Sequence, residues 1–188
     1  MKPEKLIILS APSGTGKGTV IRRIMEKMDN IVLSVSATTR APRPGETDGV
    51  EYHFITRDRF EEMIRDGELL EHAEYSGNYY GTPLSPLETN TDEGRYVILE
   101  IEVKGFRQVK KKIPEALAIF LAPPSLEELE RRLRGRGTET EDSIQRRLKA
   151  AKKEMPMAKR FDHIVVNDSV DRAADEIIDI ILNHRRSE

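Results

Sequence analysis

The stretch "LIILSAPSGTGKGTVIRRI", residues 6–24, decides the reading of this chain. Leu6–Leu9 is a short apolar run of the kind that forms a buried strand, and Ser10-Ala11-Pro12-Ser13-Gly14 ends it. Val20, Ile21, Ile24 and Met28 then fall on one face of a helix. The loop between them closes on Gly14-Thr15-Gly16-Lys17. A glycine-rich turn that opens a helix aims unpaired backbone N–H groups and the positive end of the helix dipole at an anion. Lys17 adds a mobile positive charge for outer phosphates. The stretch therefore reads as a phosphate cradle rather than a plain strand–helix turn.

Two positions depart from the pattern G-x-x-x-x-G-K-[ST]. Ala11 stands at the first glycine, and Gly18 stands where a hydroxyl normally holds Mg²⁺. Alanine is compatible with that position if its φ is negative. Mg²⁺ keeps several waters and is held largely by substrate phosphates, so the missing hydroxyl at 18 need not disable the site; Thr19 follows at once.

The 188 residues fit one globular body with small inserted subdomains. There are no cysteines, which excludes disulfides and thiolate metal sites. His53, His72, His163 and His184 have no ligand-like spacing. A net charge of −2 argues against a general nucleic-acid or membrane surface. No apolar run approaches the ~20 residues of a membrane span, and Met1-Lys2-Pro3-Glu4-Lys5 leads into too short an apolar run for a signal peptide. A cytoplasmic protein is expected.

Further strands are expected at Ile31–Val35, across the alternating Val50, Tyr52 and Phe54, at Tyr96–Val103, Ala116–Leu121 and Ile164–Val166. Thr56 is placed to cap a helix carrying Phe60, Met63 and Ile64, with Gly67 as its stop. Helices are also expected at Gly105–Ile113, at 126–134 behind a Ser125/Glu128 capping box, over Ile144–Met155 up to Pro156, and after Ser169. Strands alternating with helices imply an α/β fold, a mostly parallel sheet covered on both faces. Two stretches interrupt the alternation: 35–82, rich in strand and loop signals, and 124–157, a charged helical pair.

The remaining motifs are "SVSATTRAPRPGE", "LLEHAEYSGNYYGT", "EIEVKG", "FLAPPS", "RRLRGRGTETED" and "VVND", in this order after "SAPSGTGKGT". Together they resemble guanylate kinase over nearly the whole chain. The resemblance implies a P-loop three-layer α/β/α core (1–34, 83–123 and 158–188), a GMP-binding region (35–82) and a helical lid (124–157). It implies transfer of a phosphoryl group from ATP to GMP with Mg²⁺, by a monomer or homodimer.

Residue by residue, the resemblance implies that Ala11, Pro12, Ser13, Gly14, Thr15, Gly16, Lys17, Gly18 and Thr19 hold ATP, with Asn167 near its adenine. Arg40 and Arg43, stiffened by Pro42 and Pro44, suit bidentate phosphate recognition, and Tyr52 and Tyr80 add phenolic donors. By resemblance these four hold the GMP phosphate. Guanine presents N1–H and an exocyclic amine side by side, which one carboxylate accepts and adenine cannot offer. Glu71 is the candidate reader, with Ser36, Thr82 and Glu102 assisting. "EIEVKG" carries Glu100 and Glu102 where many members of the family have Asp; Glu100 is the candidate contact to Mg²⁺ or its waters.

Six arginines fall in 131–147. By resemblance Arg132, Arg136 and Arg147 meet the transferring phosphates, while Arg131, Arg134 and Arg146 are surface. With Lys17 and Arg40 these are the expected catalytic equipment. The alternative readings are a non-catalytic binding module on the same fold, a kinase for another monophosphate, and a nucleotide-dependent regulatory protein.

Overall fold

The computed structural model describes residues 1–135 and 140–184. In chain order its elements begin with β1 (Leu6–Ser10), α1 (Lys17–Lys27), β2 (Ile31–Leu33), β3 (Ala37–Thr38), β4 (His53–Phe54), α2 (Arg57–Arg65), β5 (Leu69–Tyr75) and β6 (Asn78–Pro83). There follow α3 (Leu84–Asp92), β7 (Tyr96–Glu100), α4 (Val103–Lys112), β8 (Leu117–Ala122), α5 (Leu126–Gly135), α6 (Glu141–Glu154), β9 (His163–Val166) and α7 (Val170–His184). The chain divides into two compact units, one of residues 1–6 and 30–116, the other of residues 7–29 and the chain from 117 on.

The second unit carries the phosphate loop. Its strands β1, β8 and β9 pair in parallel, Ile8 opposite Ala118 and Phe120 opposite Ile164. Every residue of β1 and β8 is buried, as befits parallel strands covered on both faces. The helix α1 buries Val20, Ile21 and Ile24, and α7 buries Ala173, Ala174, Ile177 and Ile181. Arg23 and Lys27 bridge to Asp171 and Asp175 across these two helices. Ser125 accepts the backbone N–H of Glu128 at 3.1 Å, half of the expected capping box. The Glu128 carboxylate instead takes Arg131 and Arg132, which hold it down at about 2. Pro156 ends α6 as expected, and the chain continues as a 3₁₀ turn over Met155–Arg160.

The first unit holds a parallel pair, β2 beside β7, and a four-stranded sheet in the order β4-β3-β6-β5. Thr56 caps α2 by accepting from Arg59 N–H, and Gly67 follows the helix with a φ of 72°. Here several expectations are corrected. The strand expected at Ile31–Val35 ends at Leu33, though Ser34 N–H still reaches the Ile98 carbonyl. The expected strand through Val50 shrinks to His53–Phe54 plus a bridge between Asp48 and Tyr52, and Val50 is exposed. The strand expected at Tyr96–Val103 covers two elements: β7 stops at Glu100 and α4 starts at Val103. The helix α3 had no periodic signal, since it buries only Leu87 and Thr91. Its Thr89, Asn90 and Thr91 bond back to carbonyls of the preceding turn, a habit that lowers helix preference in sequence.

Candidate functional site

In the second unit the loop of residues 11–16 runs from β1 into α1. Gly14 and Gly16 adopt φ of 95° and 94°, the left-handed region that glycine reaches without strain. A Cβ on Gly14 would meet Leu133 Cδ2 at 2.6 Å, and one on Gly16 would meet Asn167 Nδ2 at 2.9 Å. Glycine is thus needed twice, for conformation and for close approach. Ala11 has no positive φ, which is why alanine serves there. Nothing lies within 4 Å of a Cβ built on Gly18, in the first turn of α1. Pro12 and Thr15 are buried and Ser13 and Thr19 exposed; Lys17 is the first residue of the helix.

The loop is braced from below. Asn167, at the end of β9 and 2% exposed, donates its side-chain amide to the Thr15 carbonyl at 2.7 Å. Arg132 on α5 donates to the same carbonyl at 3.2 Å, to the Asn167 carbonyl at 2.9 Å and to Glu128 at 2.8 Å. The guanidinium expected to meet phosphates is here set on three protein oxygens. The Thr15 hydroxyl is buried with no hydrogen-bond partner. Arg131 pairs with Glu128, Arg134 with Glu130 and Glu141, and Arg146 with the Asp142 carbonyl, the surface role expected of these three. Arg147 is half-buried on α6, next to the buried Leu148. Arg136 lies outside the described residues.

In the first unit, Thr38 and Thr39 tie the start of the arginine loop to β6. The Thr38 hydroxyl donates to the Tyr79 carbonyl at 2.9 Å, and the Thr39 hydroxyl accepts from Tyr79 N–H at 2.9 Å. Arg40 then turns onto Glu46, both its Nη atoms lying 2.9 Å from that carboxylate. Glu46 also accepts Arg43 N–H at 2.7 Å; Arg40 first and this N–H second hold its carboxyl below the usual range. The Arg40 guanidinium lies 5.4 Å from the Tyr52 ring centre, and Tyr52 meets Tyr80 edge-on at 5.9 Å. Glu46 first, and the Tyr80 phenol more weakly, favour the charged Arg40 guanidinium. Arg40, Tyr52 and Tyr80, separated in sequence by up to 40 positions, therefore form one cluster. Burial raises the Tyr52 phenol, and the charge of Glu100 adds to this. Arg43 is exposed, and Ser36 is half-buried just before β3.

Glu71 is 6% exposed on β5. Thr82 from β6, itself buried, donates to its Oε1 at 2.8 Å. Burial pushes the Glu71 carboxyl up; the Thr82 hydroxyl and Lys112 oppose this, and Glu102 adds to it weakly. Glu102 is the exposed residue immediately before α4. A largely buried carboxylate keeps acceptor capacity beyond the one Thr82 bond, and burial raises the worth of any donor it takes. Sequence reasoning missed Glu46, although the end of "TTRAPRPGE" carried it.

No three histidine, aspartate or glutamate side chains gather as a metal site among the described residues. Oxygen donors such as the exposed Glu100 suit a cation carried largely by substrate phosphates.

A phosphate loop running from a parallel strand into a helix, on alternating strands and helices, marks a nucleotide-binding protein of the P-loop α/β class. The guanylate kinase family model matches residues 3–184. The chain is 54% identical over 176 residues to a guanylate kinase of Lactococcus lactis, covering 94% of this chain and 86% of that one. It is 54% identical over 170 residues to a guanylate kinase of Synechococcus sp., covering 90% of each. The crystal structure of guanylate kinase from Anaplasma phagocytophilum superposes with a TM-score of 0.76 at 37% identity, over 95% of this chain and 84% of that one. The chain belongs to the guanylate kinase family, and the mostly parallel α/β fold expected from its sequence is borne out.

Proposed function

We propose that this chain transfers the γ-phosphoryl group of ATP to GMP, giving ADP and GDP, in cytoplasmic purine nucleotide metabolism. The observation that carries the substrate is the buried Glu71, braced by Thr82, in the same unit as the Arg40–Tyr52–Tyr80 cluster. The carboxylate accepts guanine N1–H and the exocyclic amine together. The arginine and two phenols provide donors and charge for a phosphate dianion. Residues 35–82 would then be the GMP-binding region, with Ser36, Arg43 and Glu102 contributing contacts, and residues 124–157 the lid.

In the transfer, an oxygen of the GMP phosphate forms a bond to Pγ while the bond from Pγ to the bridging oxygen of ADP breaks. The second ionisation of such a phosphate lies near pH ~6, so the nucleophile is already charged and no strong general base is needed. What remains is positioning and charge neutralisation. The N–H groups of the 11–16 loop and Lys17 take the ATP phosphates. Arg40, Arg132, Arg136 and Arg147 counter the charge on the transferring group. Bound together with ATP, Mg²⁺ would supply further charge neutralisation to the phosphates, and Glu100 would be the chain's oxygen donor toward it or its waters.

The test is ADP formation from ATP and Mg²⁺ with GMP, AMP, CMP and UMP in parallel. Turnover with GMP alone is expected. Turnover with another base would retain the kinase and remove Glu71 as the guanine reader. Binding of GMP with no turnover would mark a binding module.

A further inference from the structure

The strand that presents Glu71 is irregular and lies at the edge of its sheet. Leu69 pairs with Pro83 and His72 with Gly81, so three steps along β5 match two along β6. The extra residue makes a bulge between Leu69 and His72, and Glu71 sits within it. A bulge on an edge strand leaves backbone groups without ladder partners and re-aims a side chain. Its geometry has to be held by something else.

What holds it is the helix α4. Lys112 Nζ donates to the Leu70 carbonyl at 2.6 Å and to the Leu69 carbonyl at 3.2 Å. Gln108 donates its amide to the His72 carbonyl at 2.7 Å and accepts His72 N–H at 3.3 Å. The two side chains therefore clamp the backbone on both sides of Glu71. Gly105, on the same helical face three residues before Gln108, removes the last obstacle: a Cβ there would lie 2.6 Å from Glu71 Oε2. Gly81 does the same from β6, where a Cβ would lie 2.9 Å from the Glu71 carbonyl.

We infer that Gln108 and Lys112 are positioning residues for base recognition: by clamping the β5 bulge they set where the Glu71 carboxylate meets the purine edge. This rests on the reading of Glu71 as the guanine reader. Neither side chain touches the nucleotide in this scheme. Their effect reaches it through the backbone of residues 69–72, and Lys112 also favours the ionised carboxyl electrostatically.

The test uses the full chain with Gln108→Glu, which keeps shape but loses the donor to His72, and Lys112→Met, which loses both donors and the charge. Lys112→Arg is the conservative rescue, and Lys111→Met, at an exposed neighbouring position, the control. Steady-state constants are measured for GMP, for the hypoxanthine monophosphate, which lacks the exocyclic amine, and for ATP. Each of the two disruptive variants is expected to raise the KM for GMP about tenfold and to compress the preference for GMP over the hypoxanthine nucleotide, with the KM for ATP unchanged. Lys112→Arg is expected to recover most of the loss, and Lys111→Met to resemble wild type.

An unchanged KM for GMP and an unchanged base preference, with only a lowered Tm, would overturn the inference, as would a parallel rise in both nucleotides' KM. If the disruptive variants do not fold, Lys112→Arg decides alone: a base preference equal to wild type supports the clamp, and a lost one with full stability overturns it. A wild-type enzyme that fails to distinguish the two purine nucleotides would instead overturn the reading of Glu71 itself.

Discussion

The side-chain amide of Asn167 donates to the backbone carbonyl of Thr15 at 2.7 Å, and both residues are buried. The contact joins positions 152 apart and fixes the middle of the phosphate loop from beneath. Asn167→Ala leaves that carbonyl with Arg132 alone. Losing a buried partner costs about 1–3 kcal/mol, here toward the lower end. The expected outcome is a Tm lower by several degrees and a KM for ATP raised several-fold, with the KM for GMP little changed. Thermal melting and nucleotide titrations of the variant check this.

Glu71→Gln separates recognition from stability. A carboxyl raised by burial binds its proton more readily folded than unfolded. Stability therefore falls as pH rises from the ordinary value near 4.5 through the raised one, and the deficit is complete above it. Neutral glutamine has no such deficit and still accepts from Thr82. The variant is expected to melt above wild type at pH 8, with the difference gone below pH 4.5, while its KM for GMP rises tenfold or more at pH 8. Melting curves across pH, paired with GMP kinetics, test both halves.

Glu46→Gln probes the Arg40 cluster. The substitution removes the charge that draws both Nη atoms of Arg40 to one carboxylate. With the guanidinium no longer oriented, the KM for GMP is expected to rise by about tenfold, near 1.4 kcal/mol, and the KM for ATP to stay constant. Equal constants in the variant would show that Glu46 only braces the loop.

Gly18→Ser restores the hydroxyl absent from the first turn of α1. Space for it exists, and replacing an unstrained helical glycine stabilises by roughly 0.5–1 kcal/mol. A small rise in Tm and a modest change in the Mg²⁺ concentration dependence are expected. A turnover gain of a hundredfold or more would mean that the native loop is crippled.

The elements most legible in the sequence are those whose cause is local. Gly14, Gly16 and Lys17 occupy a loop whose chemistry lies in its own backbone, and the apolar runs of β1 and β8 need no partner to be recognised. Thr56, Ser125 and Gly67 announce helix ends through contacts three or four residues away. Where local preference and final structure differ, legibility fails. The helix α3 is poor in helix formers and nearly without an apolar stripe, and in Tyr96–Val103 the apolar Ile101 and Val103, alternating with Glu100 and Glu102, prolong a strand-like pattern past the real end of the strand.

From its sequence alone the chain is an α/β protein with a phosphate loop, and the arginine, tyrosine and glutamate residues around 40–102 stand out as a second group of interest. Those features follow from residue type, spacing and short-range hydrogen bonding. Only tertiary structure decided that Arg132 and Asn167 converge on Thr15, that Glu46 takes Arg40, and that Gln108 and Lys112 clamp the strand around Glu71. Most of these contacts join residues 36 to 152 apart, and the Arg40–Glu46 pair, six apart, turns on how its loop folds back. Their worth comes from burial, which strengthens a satisfied polar contact and penalises an unsatisfied one. Burial is a property of the packed chain, and no short window of sequence contains it.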